Sequence, residues 1–181
     1  MATGKTNIGL VYGLICGGIS IVFTLVLYMG GVKWFVHPIA WTGLAFPIIV
    51  AVLGGRAQKK ANGGFLTFAE GLKTTFTIFV IGSLVATVFQ YVLFNIIDVP
   101  FREALSQEAA EVTARMMEKF GATQENIDKA TTDAMAGNNY SIGRIALSFA
   151  FGCILWFLFS LIIAAIIKKK KPEFDNTQFN R

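Results

Sequence analysis

The stretch TTFTIFVIGSLVATVFQYVLFNII, residues 74–97, contains no Asp, Glu, Lys, Arg or His over 24 consecutive positions. An α-helix needs about 20 mainly apolar residues to cross a hydrocarbon core of roughly 30 Å, so this run is long enough to span a bilayer. The whole chain of 181 residues is 54% hydrophobic and only 15% charged, which exceeds the apolar content of ordinary soluble domains. The lipid bilayer is therefore the expected solvent for most of the protein.

Three further runs are almost free of charge over a similar length, so we predict four membrane helices. Pro38 suits the first turn of the second helix, whereas Pro47 removes an internal hydrogen bond and is expected to bend it. The expected fold is an all-α, polytopic membrane protein in one domain, 1–181, with an extracytoplasmic helical hairpin between its third and fourth membrane helices. Its segments are membrane helices at about 8–29, 34–54, 68–97 and 142–167, a cytoplasmic connection at 55–67, the helical loop at 98–140 and a basic tail at 168–181.

Positive charge is distributed unevenly between the two sides of the predicted bundle. Ten Lys and Arg residues lie on the side of both termini; six lie on the other, five of them spread over 98–144 among eight acids. By the positive-inside tendency, both termini are expected in the cytoplasm. The net charge of +5 is then explained by topology, and no nucleic-acid partner is expected. A tail that docks a partner through its lysines, 168–171, is the alternative.

The sequence T-F-A-E at 67–70 has the spacing of a capping box, in which Thr67 caps the helix and Glu70 reaches back to the cap N–H. A carboxylate in the first turn also interacts favourably with the helix dipole. We therefore assign Thr67 and Glu70 to structure, as the start of the third membrane helix. The alternative is a functional carboxylate, which in a membrane protein would more often lie deeper.

Several stretches occur in a familiar order. A Gly-rich first helix and a basic connection lead into GGFLTFAEGLKTTF, the third helix leaves through FNIIDVPFREAL, and FGATQENID precedes a last helix that ends in a lysine block. This order, over about residues 7–171, resembles the bacterial membrane family described as domain of unknown function 4199. The resemblance implies a four-helix protein of the bacterial inner membrane. It implies no activity and carries over no catalytic residue.

Small residues recur every four positions on two of the predicted helices. In lipid, such stripes let helices approach closely, because hydrophobicity does not drive their association. The first stripe is expected to contact a neighbouring helix of the same chain, with an oligomer or partner contact as the alternative. Gln90 is expected to form a hydrogen bond inside the bundle, with a transport pathway as the alternative. The helix-packing candidates are Gly9, Gly13 and Gly17 on the first helix, and Gly82, Ala86 and Gln90 on the third.

Residues for catalysis or metal binding are scarce. The chain has one histidine, His37, and two cysteines, Cys16 and Cys153, at different expected depths. One histidine makes no zinc site, and no Ser, His and carboxylate set or phosphate-binding loop is present. We therefore expect no metal, no cofactor and no enzymatic activity.

The 98–140 loop is predicted to hold two helices, separated at Gly121. The first has an apolar stripe opposite a row of glutamates, and two helices of this size cannot bury a core alone. The stripe is a candidate partner-binding surface; packing on the protein's own bundle is the alternative. Its residues are Phe101, Leu105, Val112, Met116 and Phe120.

Together these features predict a non-catalytic accessory or assembly subunit of a larger envelope complex. It would bind a membrane protein partner, or another copy of itself, through its helix grooves and outer hairpin. The alternative is a small-solute or ion transporter that acts as an oligomer. Polar groups lining a shared cavity would favour transport.

Overall fold

The computed structural model describes residues 7–136 and 141–171, and this part of the chain is all-α. A 3₁₀ segment, Pro38–Leu44, precedes α3, and a π segment, Leu93–Ile97, follows α4. The α-helices are α1 Ile8–Met29, α2 Val32–Val36, α3 Ala45–Ala61, α4 Phe68–Val92, α5 Val99–Lys119, α6 Gln124–Ala136 and α7 Ile142–Ile167.

Four helical runs are long and apolar enough to cross a membrane: Ile8–Met29, Pro38–Ala61, Phe68–Ile97 and Ile142–Ile167. No more than 28% of the apolar window of any run is buried inside the protein, so most of their side chains point outward. Soluble proteins rarely expose so much contiguous apolar surface to water, whereas membrane-spanning helices expose such surface to lipid. The protein is therefore a multi-pass membrane protein whose outer surface contacts the bilayer.

The second span differs from its predicted limits of 34–54. It starts at Pro38 with the 3₁₀ segment, and α3 then continues to Ala61, through residues expected in the connection. Pro47 is the third residue of α3, a position whose N–H has no partner within the helix, so this proline removes no hydrogen bond of α3. The helix changes from 3₁₀ to α before Pro47, between Leu44 and Ala45. The helix stops where Gly63 and Gly64 adopt φ of 71° and 91°.

Helix α4 lies at the centre and contacts α1, α3 and α7. The glycine stripe of α1 faces it: a Cβ on Gly9, Gly13 or Gly17 would lie 3.1, 2.7 or 2.6 Å from the Cβ of Thr77, Ile81 or Val85. On α4, a Cβ on Gly82 would lie 2.8 Å from Cys16 Sγ. These four glycines therefore form an internal contact between the first and third membrane helices.

The two ends of the bundle differ in charge. We call the end with the α3–α4 turn the basic end; among the described residues it carries one acid, Glu70. The opposite end, with α5 and α6, carries eight acids and six bases in the described part of the chain. The bases of the basic end are Arg56, Lys59, Lys60, Lys73 and the four lysines at 168–171.

Two hydrophobic clusters stabilise the fold. The larger joins α1, α3, α4 and α7 in the half nearer the basic end, around Phe79 and Ile78, and Leu66 from the α3–α4 turn belongs to it. The smaller joins the end of α4 to α5 around Leu93, Phe94 and Leu105. Helix α5 is thus attached to the bundle by its first turns.

Candidate functional site

A polar cleft of about 270 Å³ lies between α4 and α7, in the half of the bundle towards α5 and α6. Gln90 is seven residues before Ile97, so it lies about 10 Å along the helix from the end of the span. No charged side chain lines the cleft. The lining residues are Ser83, Thr87, Gln90 and Tyr91 from α4, and Ile145, Ser148, Phe149, Gly152 and Trp156 from α7.

The cleft exists because α7 packs closely on the bundle along only part of its length. Near the basic end, Gly71 faces Ala164 and Gly55 faces Ile167, so small residues let the helices approach. Further along α7, the indole of Trp156 stacks on Phe79, with ring centroids 4.6 Å apart. The buried residues of α7 are Ser160, Ile163, Ala164 and Ile167, all between Trp156 and the basic end.

Several polar groups of the cleft have no partner within the described residues. Ser83 Oγ donates to Phe79 O at 2.7 Å, which satisfies its hydroxyl. The side chains of Thr87, Gln90 and Ser148, in contrast, make no hydrogen bond to the described part of the chain. Gln90 is exposed. An unpaired amide at membrane depth is costly, so water or a polar group from outside the described chain would stabilise these side chains.

The position of Gln90 corrects the sequence interpretation. The residue was expected to form a hydrogen bond inside the bundle, but it is exposed, lines two clefts and makes no hydrogen bond to the described residues. The second cleft, of about 330 Å³, adjoins the first through Ser83, Thr87 and Gln90. Ala86 lines this second cleft, together with Ser20 and Thr24 of α1. Of the three predicted packing residues of α4, Ala86 and Gln90 therefore line clefts, whereas Gly82 packs against α1.

Glu70 lies at the basic end, away from the cleft. Thr67 N donates to Glu70 Oε2 at 2.9 Å and Glu70 N donates to Thr67 Oγ1 at 3.3 Å, so both hydrogen bonds of the capping box are present. Asn62 Nδ2 donates to Glu70 Oε1 at 3.3 Å, and Gln58 Nε2 donates to Asn62 Oδ1 at 3.0 Å. The carboxylate therefore joins the start of α4 to the end of α3.

The first turns of α5 are attached by an acid and an aromatic cluster that sequence reasoning missed. Tyr28 Oη donates to Asp98 Oδ2 at 2.6 Å, and the N–H of Phe101 donates to Asp98 Oδ1 at 2.9 Å. The tyrosine hydrogen bond, followed by the backbone one, lowers the pKa of Asp98 below its ordinary value. The rings of Phe94 and Phe101 stack with centroids 6.0 Å apart, and Phe35 meets both edge-on.

The apolar stripe of α5 is divided between two environments. Phe101 packs partly buried in this aromatic cluster and Leu105 is only 7% exposed, so the start of the stripe lies against the protein's own bundle. Val112 is half-buried, whereas Met116 and Phe120 are 55% and 86% exposed. The prediction treated the stripe as one surface. In the structure α5 contacts α2 and the π segment, and the clustered residues Phe101 and Leu105 come from its first two turns.

The end of α5 is closed by Gly121, as predicted. Its φ is 76°, the N–H of Gly121 donates to Glu118 O and the N–H of Ala122 donates to Met117 O. This is the Schellman arrangement, which favours glycine. Helix α6 then packs on α5, and Ile127 is buried between them.

The metal-ligating residue types are dispersed in the described part of the chain. No group of three or more His, Cys, Asp or Glu residues is close enough there to hold a metal ion. Cys16 is buried in the contact between α1 and α4, and Cys153 lies apart from it on α7, so both are free thiols.

Ser148, Gly152 and Trp156 are the cleft residues that sequence reasoning missed. They recur every four positions on α7, which was the available signal, but their spacing does not reveal which helix they face. No curated protein and no solved structure matches the chain. The family model described as "protein of unknown function (DUF4199)" matches residues 11–169, which is most of the chain. The four-span, all-α protein with a polar cleft therefore belongs to the DUF4199 family.

Proposed function

We propose that the protein is a non-catalytic accessory subunit that receives a transmembrane helix of another membrane protein in the cleft between α4 and α7. The unpaired polar side chains of Thr87, Gln90 and Ser148 at membrane depth carry this proposal. A polar side chain on the incoming helix would satisfy them, as interhelical hydrogen bonds do in membranes. A Cβ added to Gly152 would meet no atom within 4 Å, which leaves room there for a side chain of that helix.

The expected orientation has both termini in the cytoplasm and α5 and α6 outside, in the bacterial inner membrane. The charge difference supports it: the basic end carries eight bases and one acid among the described residues, whereas the other end is acidic on balance. The exposed Met116 and Phe120 would then offer the partner a second contact outside the membrane.

The experiment fills the cleft without disturbing the fold. Gly152→Leu places a side chain in open space, and Gly143→Leu makes the same change on α7 at a residue outside the cleft lining. A photo-crosslinker at Ser148 in native membranes reports the neighbour. We expect a crosslink to one distinct membrane protein that Gly152→Leu abolishes and Gly143→Leu preserves.

Changing the hydrogen-bonding groups tests the chemistry of the contact. Gln90→Leu and Thr87→Val should each weaken co-purification of the crosslinked protein, by about 1 kcal/mol for one interhelical hydrogen bond. Thr77→Val is the control, because Thr77 lies on α4 outside the cleft lining and its hydroxyl donates to Lys73 O. Normal capture in Gln90→Leu would refute the proposal, and a crosslink to a second copy would show self-association.

A second candidate function is passage of a small neutral solute through an oligomer. The two adjoining clefts share Ser83, Thr87 and Gln90 and have no charged side chain in their lining, which favours this function. Ser20 and Thr24 add two hydroxyl groups from α1 to an otherwise mainly apolar second cleft. The larger hydrophobic cluster closes the half towards the basic end, so a pathway would have to pass between copies. Uptake of a small polyol into proteoliposomes that Gln90→Leu abolishes would favour transport over helix docking.

A further inference from the structure

The lysine block after α7 is held across the basic end. The N–H of Leu66 donates to Lys169 O at 2.9 Å, and the N–H of Lys169 donates to Leu66 O at 2.8 Å. Leu66 is only 1% exposed, so this backbone pair is anchored in the larger hydrophobic cluster. The chain after Ile167 is thus fixed against the α3–α4 turn.

Three ammonium groups are positioned by this arrangement. Lys59 Nζ donates to Ile167 O at 2.9 Å, where α7 ends. Lys168 Nζ lies 6.0 Å from the ring centroid of Phe68, and Lys169 Nζ lies 5.7 Å from that of Phe65. Cations at such distances are attracted by the face of the ring. Lys170 and Lys171 are exposed and extend the same positive surface.

This positive charge is not neutralised by the described part of the chain. The ion pairs within the described part of the chain are formed by Arg102 and Arg115, which both lie on α5 at the other end of the bundle. Glu70, the single acid described at the basic end, is occupied by hydrogen bonds to Thr67 and Asn62. The lysine surface therefore requires counter-ions from outside the described chain.

We propose that this surface, formed by Lys59 and the four lysines at 168–171, binds the headgroups of anionic phospholipids. Its position fits that partner, because it lies where two membrane helices end, at α7 Ile167 and at the start of α4. Phe65 and Phe68 place aromatic rings beside the ammonium groups, and Phe68 is 40% exposed. Lipid phosphates at this level would meet several lysines already held in place, so little side-chain freedom would be lost on binding.

The experiment measures which lipids remain bound to the purified full-length protein. The protein is reconstituted in nanodiscs of mixed phosphatidylglycerol and phosphatidylcholine, extracted gently, and its retained lipids are counted by native mass spectrometry. Lys170→Gln with Lys171→Gln removes two exposed charges whose ammonium groups make no hydrogen bond or ion pair within the described chain, so we expect the fold to be unaffected. We expect the ratio of anionic to neutral lipid to fall about fivefold per lysine and about 25-fold for the pair.

Two matched variants complete the test. Lys119→Gln with Lys129→Gln removes the same charge at the other end and should leave the ratio unchanged. Lys170→Arg with Lys171→Arg keeps the charge and should retain the lipid. An unchanged ratio in the Lys170→Gln, Lys171→Gln variant, or an equal fall in the variant of Lys119 and Lys129, would overturn the proposal. Helix docking in the cleft is independent of both results.

Discussion

The contact between α1 and α4 offers a sharp test, because Gly17 leaves no space for a side chain. In Gly17→Ala the new Cβ would lie 2.6 Å from Val85 Cβ and 2.7 Å from its Cγ1. Ordinary contact begins near 3.4 Å, so the two helices would have to separate by almost 1 Å. Valine cannot relieve the contact by rotation, because it has one strongly preferred rotamer in a helix.

The expected cost of Gly17→Ala is that of overpacking, about 1–3 kcal/mol. The adjacent residue provides the control: a Cβ on Gly18 would meet no atom within 4 Å, so Gly18→Ala changes helix propensity without a clash. Alanine is favoured over glycine in a helix by up to about 1 kcal/mol, so Gly18→Ala should be neutral or stabilising. Both alanines gain this propensity, and the difference between the variants therefore measures the packing of α1 on α4.

The assay is equilibrium unfolding in mixed detergent micelles, followed by circular dichroism. Combining Gly17→Ala with Val85→Gly removes the opposing Cβ, so a double-mutant cycle should show a coupling that offsets much of the cost of Gly17→Ala. Equal stability of Gly17→Ala and Gly18→Ala would refute the close approach of the two helices.

The two ends of the bundle give three further predictions. Thr67→Ala should cost about 1 kcal/mol of stability by removing the cap of α4, whereas Glu70→Gln, which keeps an acceptor, should cost less; chemical unfolding of both variants tests this. The pKa of Asp98 is lowered in the folded protein, so its stabilising contribution is present above the unfolded value near 4 and is lost as pH falls through the folded value. In Tyr28→Phe, the free energy of unfolding measured against pH should fall less steeply in that acidic range. An unchanged pH profile would show that the tyrosine hydrogen bond does not cause the lowered pKa of Asp98. Reporter fusions at Gly121 and at the carboxyl terminus should report opposite sides of the membrane, and cytoplasmic activity at Gly121 would invert the proposed orientation.

Helix starts and stops were predictable because their signals are local. The capping box at Thr67 and Glu70 needs only residues three apart, and both of its hydrogen bonds are present. Gly121 marks the end of α5 for the same reason. The second span was less predictable, since Pro38 and Pro47 suggested a bend while the charged residues after Gly55 continue as helix to Ala61. Lysine and arginine are good helix formers, so charge marked the edge of the membrane and not the end of the helix.

Surfaces were harder to predict than helices. The regular spacing of apolar residues on α5 identified one face, but the contact of its first turns with Phe35 and Phe94 buries Phe101 and Leu105 and leaves Phe120 exposed. Likewise, the glycine stripe of α1 showed which face packs closely and could not name α4 as its partner. Periodicity describes the side of one helix, whereas burial depends on which other helix lies against that side.

The amino-acid sequence alone determines the solvent of this protein, its four membrane spans, the charge of each end and most of its helix boundaries. All of these follow from hydropathy, charge and capping within a few turns of helix. The cleft depends instead on residues distant in the chain. Gly71 and Ala164 bring α4 and α7 together at one end, and Trp156, which stacks on Phe79, lines the cleft beyond them. Gln90 lines this cleft and makes no hydrogen bond to the described chain. Which residues of α7 lie opposite it depends on the packing of two helices, which no pattern along either helix contains.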